Sequence, residues 1–125
     1  MPENKKQPKI LIVEDEKPLS RAMKLKLENS GFLVEVATNG QEAIDLVKKD
    51  QFDAMILDLV MPIMDGFAVL EELKKNKIKL PIIAASNLAQ REDIDRAKAL
   101  GADSYFIKSN TSLAQIVEHV RKATS

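Results

Sequence analysis

Two runs, Ile10-Leu11-Ile12-Val13 and Ala54-Met55-Ile56-Leu57, are apolar at every position, and they limit the fold more than any other feature of the chain. A strand with one wet face alternates apolar and polar residues, whereas an unbroken apolar run suits a strand covered on both faces. KILIVE and AMILDL are therefore read as central strands, and FLVEVA, PIIAAS and SYFIK complete a set of five. Helical patterns lie between them. Leu19, Ala22, Met23 and Leu27 recur at helical spacing, as do Ala43, Ile44 and Val47, and Leu113, Ile116, Val117 and Val120. Pro18 suits a first helical turn, Gly31 and Gly101 suit the left-handed position past a helix end, and Asn110-Thr111 offers a polar cap before the last helix. Alternating strands and helices with short joints predict an α/β fold, a parallel doubly wound sheet with five strands and five helices.

At 125 residues the chain has room for one domain. The polar opening PENKKQPK has no period, so residues 1–8 are expected to be a loose tail and 9–125 the domain. Lys+Arg and Asp+Glu each number 19, which excludes a chain devoted to coating nucleic acid or an anionic membrane. There is no cysteine, hence no disulfide framework and no thiolate metal site. No apolar stretch approaches the roughly 20 residues of a membrane span, and the first nine residues lack the apolar core of a secretion signal. A soluble cytoplasmic protein is expected.

In such a sheet a ligand site forms beyond the carboxyl ends of the strands, where strand order reverses. Strand one ends in Glu14-Asp15, strand three in Asp58, strand four in Ser86 and strand five in Lys108. Two carboxylates about 4 Å apart repel by on the order of 4 kcal/mol at an effective dielectric near 20, so a converging set needs a cation. Lys108 is one candidate and a divalent ion the other. Hard oxygen ligands with no nearby histidine or cysteine favour Mg2+. A carboxylate beside Mg2+ can attack a phosphoryl group while a lysine and a hydroxyl hold its oxygens. Asp58, alone at the end of a central strand, is read as the nucleophile, with Glu14 and Asp15 as metal holders. Taken singly, Glu14 or Asp15 reads as a helix cap, Ser86 as a turn residue and Lys108 as a solvated charge. Their joint placement on four strand ends carries the functional reading.

With ILIVEDE, ILDLVMPIMDGF, LPIIAAS and ALGADSYFIK in this order, the chain resembles the receiver domain of bacterial response regulators over about residues 9 to 123. The resemblance implies a flavodoxin-like sheet of order 2-1-3-4-5. It implies that Asp58 accepts a phosphoryl group from a histidine kinase or histidine phosphotransfer protein, with catalysis limited to the domain's own phosphorylation and dephosphorylation. It further implies Mg2+ held by Glu14, Asp15, Asp58 and the Val60 carbonyl, and Ser86 and Lys108 on the phosphoryl oxygens. Tyr105 would swing inward as Ser86 moves, altering the face made by the fourth helix, fifth strand and fifth helix for a downstream partner. Phosphorylation could also drive a homodimer, and no direct nucleic-acid or membrane contact is implied for this domain.

The chain departs from the family pattern in three places. Ser109 follows Lys108 where the family usually has proline, often after a cis bond. A non-proline cis bond costs about 2.5–4 kcal/mol, so a trans bond or a strained cis bond is expected. Val60 and Leu88, two positions beyond Asp58 and Ser86, are apolar where polar residues often assist hydrolytic water, so a slowly hydrolysed acyl phosphate is expected. The NLAQREDI region carries few of the exposed hydrophobes a large partner interface needs.

A degenerate receiver, binding partners without phosphorylation, is the alternative; all five chemical positions are filled, and Ser109 keeps it open. A Mg2+-dependent phosphohydrolase should have a second acid where Val60 stands and a cap over the site. A flavodoxin-like cofactor binder should have a glycine- or hydroxyl-rich cradle where EDEKP follows the first strand. His119 reads as a surface residue without a role in transfer. A stand-alone regulator is favoured over a receiver cut from a longer chain.

Overall fold

The computed structural model describes residues 7–88 and 90–125. Its strands are β1 (Lys9–Val13), β2 (Leu33–Ala37), β3 (Ala54–Asp58), β4 (Ile82–Ser86) and β5 (Ser104–Ile107); its α-helices are α1 (Lys17–Asn29), α2 (Gly40–Lys49), α3 (Gly66–Lys75), α4 (Arg91–Ala99) and α5 (Leu113–Thr124). The sheet runs β2-β1-β3-β4-β5 with every pair parallel. The five-strand, five-helix α/β expectation and the order 2-1-3-4-5 both hold. Most of the expected tail, residues 1–6, lies outside the described residues. Pro8, just before β1, already bonds to β2, its carbonyl accepting from Leu33 N–H at 2.9 Å.

Alternation along the strands sorts the core into two layers. Leu11, Val13, Met55 and Leu57 pack with Ala43, Ile44, Leu70 and Leu73 of α2 and α3. Ile10, Ile12, Ala54 and Ile56 pack with Met23 and Leu27 of α1 and Ile116, Val117 and Val120 of α5. This is why the first and third runs are apolar throughout: both faces of β1 and β3 are covered. The helix α4 is attached thinly, with Ala97 its one buried residue among those described.

Local chemistry sets the helix ends. Asn39 and Asp65 cap α2 and α3 by accepting from Glu42 N–H and Ala68 N–H. The cap of α5 is Ser112, in a reciprocal box with Gln115, and not the expected Asn110-Thr111 pair. The reason is a 3-10 turn over Lys108–Asn110, which moves the helix start along the chain. The same turn ends β5 at Ile107, so Lys108 stands just past the strand. The Lys108–Ser109 bond is trans.

Candidate functional site

Strand order reverses between β1 and β3. The register pairs Val13 with Leu57 and Asp58 with Ala85, so Glu14, Asp58 and Ser86 leave the sheet side by side. Glu14, Asp58 and Ser86 are all buried. Each of Glu14, Asp15 and Asp58 offers a carboxylate oxygen to a cluster whose members lie within 4.8 Å of one another. The cleft above them, about 410 Å3, is lined by Asp15, Asp58, Val60, Ser86 and Lys108, together with Glu16, Asn87 and Leu88.

Both oxygens of Asp58 are engaged. Oδ1 accepts from Val60 N–H at 3.2 Å and Oδ2 from Lys108 Nζ at 3.4 Å. Burial, and then the Glu14 charge, push its carboxyl up to about 7, against the opposing pull of Lys108 and the Val60 N–H. Burial disfavours the Lys108 ammonium, but the hydrogen bond to Glu14 and the charges of Asp58 and Glu14 outweigh it, and the group is held above the ordinary lysine range. Lys108 approaches Glu14 at 2.9 Å and Glu16 at 3.1 Å. The second oxygen of Glu14 accepts from Glu16 N–H at 3.1 Å, but Glu16 is the residue before α1 and no side chain caps that helix, so Glu14 is not the helix cap that it reads as when taken singly.

Glu16 is a site residue that the strand-end logic passed over. It lies beyond the strand, and nothing in its sequence position distinguishes it from the solvated charges that follow. Asn87 is a second. Its Oδ1 accepts from Ser109 N–H at 2.9 Å, tying the end of β4 to the turn that carries Lys108.

Ser86 Oγ accepts from Leu88 N–H at 3.0 Å, and Leu88 C=O accepts from Tyr105 OH at 2.8 Å. Leu88 therefore links Ser86 to Tyr105 through its own backbone. Tyr105 is half-buried, and burial leads the causes that raise its phenol above the ordinary range. His119 lies away from this rim. Contrary to the expectation of a plain surface residue, it is half-buried and stacked on Phe106, with ring centroids 5.5 Å apart. The helix faces the sheet edge there, so the imidazole covers a core phenylalanine.

The loop after β3 approaches the site closely. A Cβ on Gly66 would lie 2.5 Å from the Asp58 carbonyl oxygen and 2.7 Å from Leu59 Cα. In the same loop Met64 N–H returns to Pro62 C=O at 2.8 Å around Ile63, whose φ is 72°. That is the hydrogen bond of a γ-turn, a strained one for a β-branched residue.

All the donors of the acidic cluster are hard oxygens, and the buried pair Glu14 and Asp58 shares one lysine. Those residues fit Mg2+, which takes one or two carboxylates and otherwise water or phosphate oxygens.

Comparison with known proteins bears on the family and the fold. The family model for the response regulator receiver domain matches residues 10–121. The cell cycle response regulator CtrA of Brucella ovis is 37% identical over 100 residues, covering 80% of this chain and 43% of that protein. The chain thus spans less than half the length of the curated relatives it matches. Among solved structures, the receiver domain of Francisella response regulator 1452 superposes with a TM-score of 0.90 at 30% identity, covering 94% of this chain and 97% of that one. The chemotaxis protein CheY4 of Vibrio cholerae gives 0.87 at 26% identity, covering 94% and 99%.

Proposed function

The chain belongs to the response regulator receiver family, a family of phosphoacceptor signalling domains and not classical enzymes, and on that premise we propose that Asp58 accepts a phosphoryl group from the phosphohistidine of a histidine kinase or phosphotransfer protein. The observation that carries the reading is the buried Asp58 carboxylate, at the end of a central strand, sharing Lys108 with Glu14 and opening into a cleft.

In the proposed reaction an Asp58 oxygen attacks phosphorus, the Oδ–P bond forms as the P–N bond breaks, and the electron pair leaves with the imidazole. Glu14, Asp15, Asp58 and the Val60 carbonyl would hold Mg2+, which when bound neutralises charge on the transferring oxygens. Lys108 and the Ser86 hydroxyl contact the remaining phosphoryl oxygens through charge-assisted hydrogen bonds worth roughly 1.5–3 kcal/mol each. To do so Ser86 must turn toward phosphorus and Lys108 must loosen its hold on Glu14 and Glu16. Because Leu88 joins Ser86 to Tyr105, that turn would carry Tyr105 inward and change the α4-β5-α5 face read by a downstream protein or by a second copy of the chain. Reversing such an equilibrium from roughly 1:99 to 99:1 takes about 5.5 kcal/mol, within the sum of two or three of these contacts. The reading carries a cytoplasmic location with it; among the described residues, no helix is long and apolar enough to cross a membrane.

Incubation with acetyl phosphate and MgCl2, followed by intact mass, tests the proposal. A single phosphoryl adduct, absent without Mg2+ and absent in Asp58→Asn, is expected. An unmodified chain would point to the degenerate, partner-binding alternative.

A further inference from the structure

At the end of the sheet opposite the acidic rim, a groove of about 730 Å3 lies between the C-terminal ends of α3 and α4. Its apolar lining is Leu70, Leu73, Ile78, Leu80, Ile82 and Leu100. Sites for small organic ligands occupy roughly 300–1,000 Å3 and are mostly apolar, with a few polar groups that fix orientation. Here three of the four charged groups are cations. Lys74, Lys77 and Lys79 stand on the rim, all exposed. Asp103, the one acid among the described lining residues, is already used, accepting from Ile82 N–H at 2.8 Å. No described carboxylate lies within ion-pair distance of the three lysines. A chain of zero net charge thus gathers an excess of cations, three lysines against one carboxylate, around one apolar groove.

The helix ends supply an independent observation. Three helices finish with the same pair of backbone hydrogen bonds: Gly31 N–H to Glu28 C=O and Phe32 N–H to Leu27 C=O after α1, Lys77 to Lys74 and Ile78 to Leu73 after α3, and Gly101 to Lys98 and Ala102 to Ala97 after α4. The motif needs a left-handed residue, for which glycine is cheapest. Two of the three positions are glycine, at φ 101° and 119°; the third is Lys77, at φ 57°. Strain borne by a non-glycine residue argues for a use of its side chain. That side chain lines the groove.

We propose that this groove binds an amphiphilic anion, its apolar chain between α3 and α4 and its carboxylate or phosphate head among Lys74, Lys77 and Lys79. The concave shape takes a single free molecule and not a bilayer, which needs apolar groups that project. The proposal is independent of the chemistry at Asp58, which lies at the other end of the sheet.

Dodecanoate, titrated below its micellar concentration into the full chain and followed by calorimetry and amide chemical shifts, tests it. Saturable binding is expected, with shifts centred on Leu73, Ile78 and Leu100 and with dodecyltrimethylammonium weaker by roughly tenfold or more. Lys77→Gly should weaken dodecanoate about fivefold or more while raising the Tm of the free protein by about 2–4 °C. Lys74→Gln should weaken binding similarly, and both variants should react with acetyl phosphate as the parent does. The proposal is overturned by absent or non-saturable binding, by shifts elsewhere, by equal affinity for the cationic amphiphile, or by unchanged affinity in Lys77→Gly. Binding to vesicles of anionic lipid or to polyglutamate, without binding of free dodecanoate, would also overturn it.

Discussion

Lys108 holds Glu14 more closely than it holds Asp58, at 2.9 Å against 3.4 Å. One ammonium is thus shared between two buried carboxylates, and the more distant of them is the group proposed to react. The lysine serves the resting site as a counter-charge, and in the proposed reaction it would become a phosphoryl ligand only by giving up part of that duty. Under that proposal, resting stability and phosphoryl affinity draw on the same charge.

A pH dependence follows from Asp58. Its carboxyl is raised from 3.8 to about 7 in the folded chain, so between those values the folded state binds the proton that the unfolded state has lost. Stability of the metal-free protein should therefore fall as pH rises from about 4 to about 7 and then level off, by roughly 2–4 kcal/mol in all. Asp58→Asn should remove this component of the slope and be the more stable protein at pH 8. Urea titrations across pH with EDTA present check both, and added Mg2+ should stabilise the parent more at pH 8 than at pH 5.

Lys108→Met should leave Glu14 and Asp58 buried against each other without a cation. Breaking a buried pair by removing one partner costs about 3–5 kcal/mol, and here protonation of a carboxylate softens the loss at low pH. The destabilisation should be larger at pH 8 than at pH 5, and Asp58→Asn in the same chain should restore part of it. Equal losses at the two pH values would show that the lysine acts through packing alone.

Much of this site was legible in the sequence because strand ends are set by apolar runs, and a parallel sheet brings successive ends to one rim. Asp58, Glu14, Ser86 and Lys108 follow from that rule, although Lys108 stands one residue past its strand. What the rule leaves out depends on side-chain reach and loop geometry. Glu16 reaches back to Lys108 from the start of α1, and Asn87 spans to Ser109, 22 residues away. His119 stacks on Phe106 because α5 rotates it toward the sheet edge, which a helical spacing alone does not fix.

The Asn87–Ser109 hydrogen bond orients the turn whose first residue is Lys108. Asn87→Ala removes an exposed acceptor, so its stability cost should stay within about 0.5 kcal/mol. Phosphorylation by acetyl phosphate should nevertheless slow by a few-fold to about tenfold, since a small misplacement of a charged contact costs on the order of 1 kcal/mol or more. Asn87→Asp, which keeps the acceptor, should recover part of the rate. Stopped-flow phosphorylation beside thermal melts separates the two effects.

The lifetime of the acyl phosphate should reflect Val60 and Leu88, which line the cleft where polar side chains could orient a water. Val60 is 59% exposed, so Val60→Asn changes the chemistry of the rim without opening the core. With Leu88→Glu it should shorten the lifetime by about tenfold or more, the range of general acid–base assistance being roughly 10²–10⁴. Decay of the phosphorylated chain by intact mass measures it, and matching decay in parent and double variant would dismiss the apolar shield.

The loop after β3 should answer to two substitutions with opposite signs. Ile63 is 83% exposed and sits at φ 72°, so it contributes little burial while straining the backbone. Ile63→Gly should stabilise the chain by about 1 kcal/mol. Gly66→Ala should do the reverse, because its methyl would meet the Asp58 carbonyl at 2.5 Å and backbone cannot yield as a side-chain tip does. Overpacking of this kind costs about 1–3 kcal/mol, and the displaced atoms belong to the proposed phosphoacceptor itself, so phosphorylation should slow alongside. A Gly66→Ala protein that melts lower yet reacts at the parent rate would mean that Asp58 takes its position from the sheet alone and not from this loop.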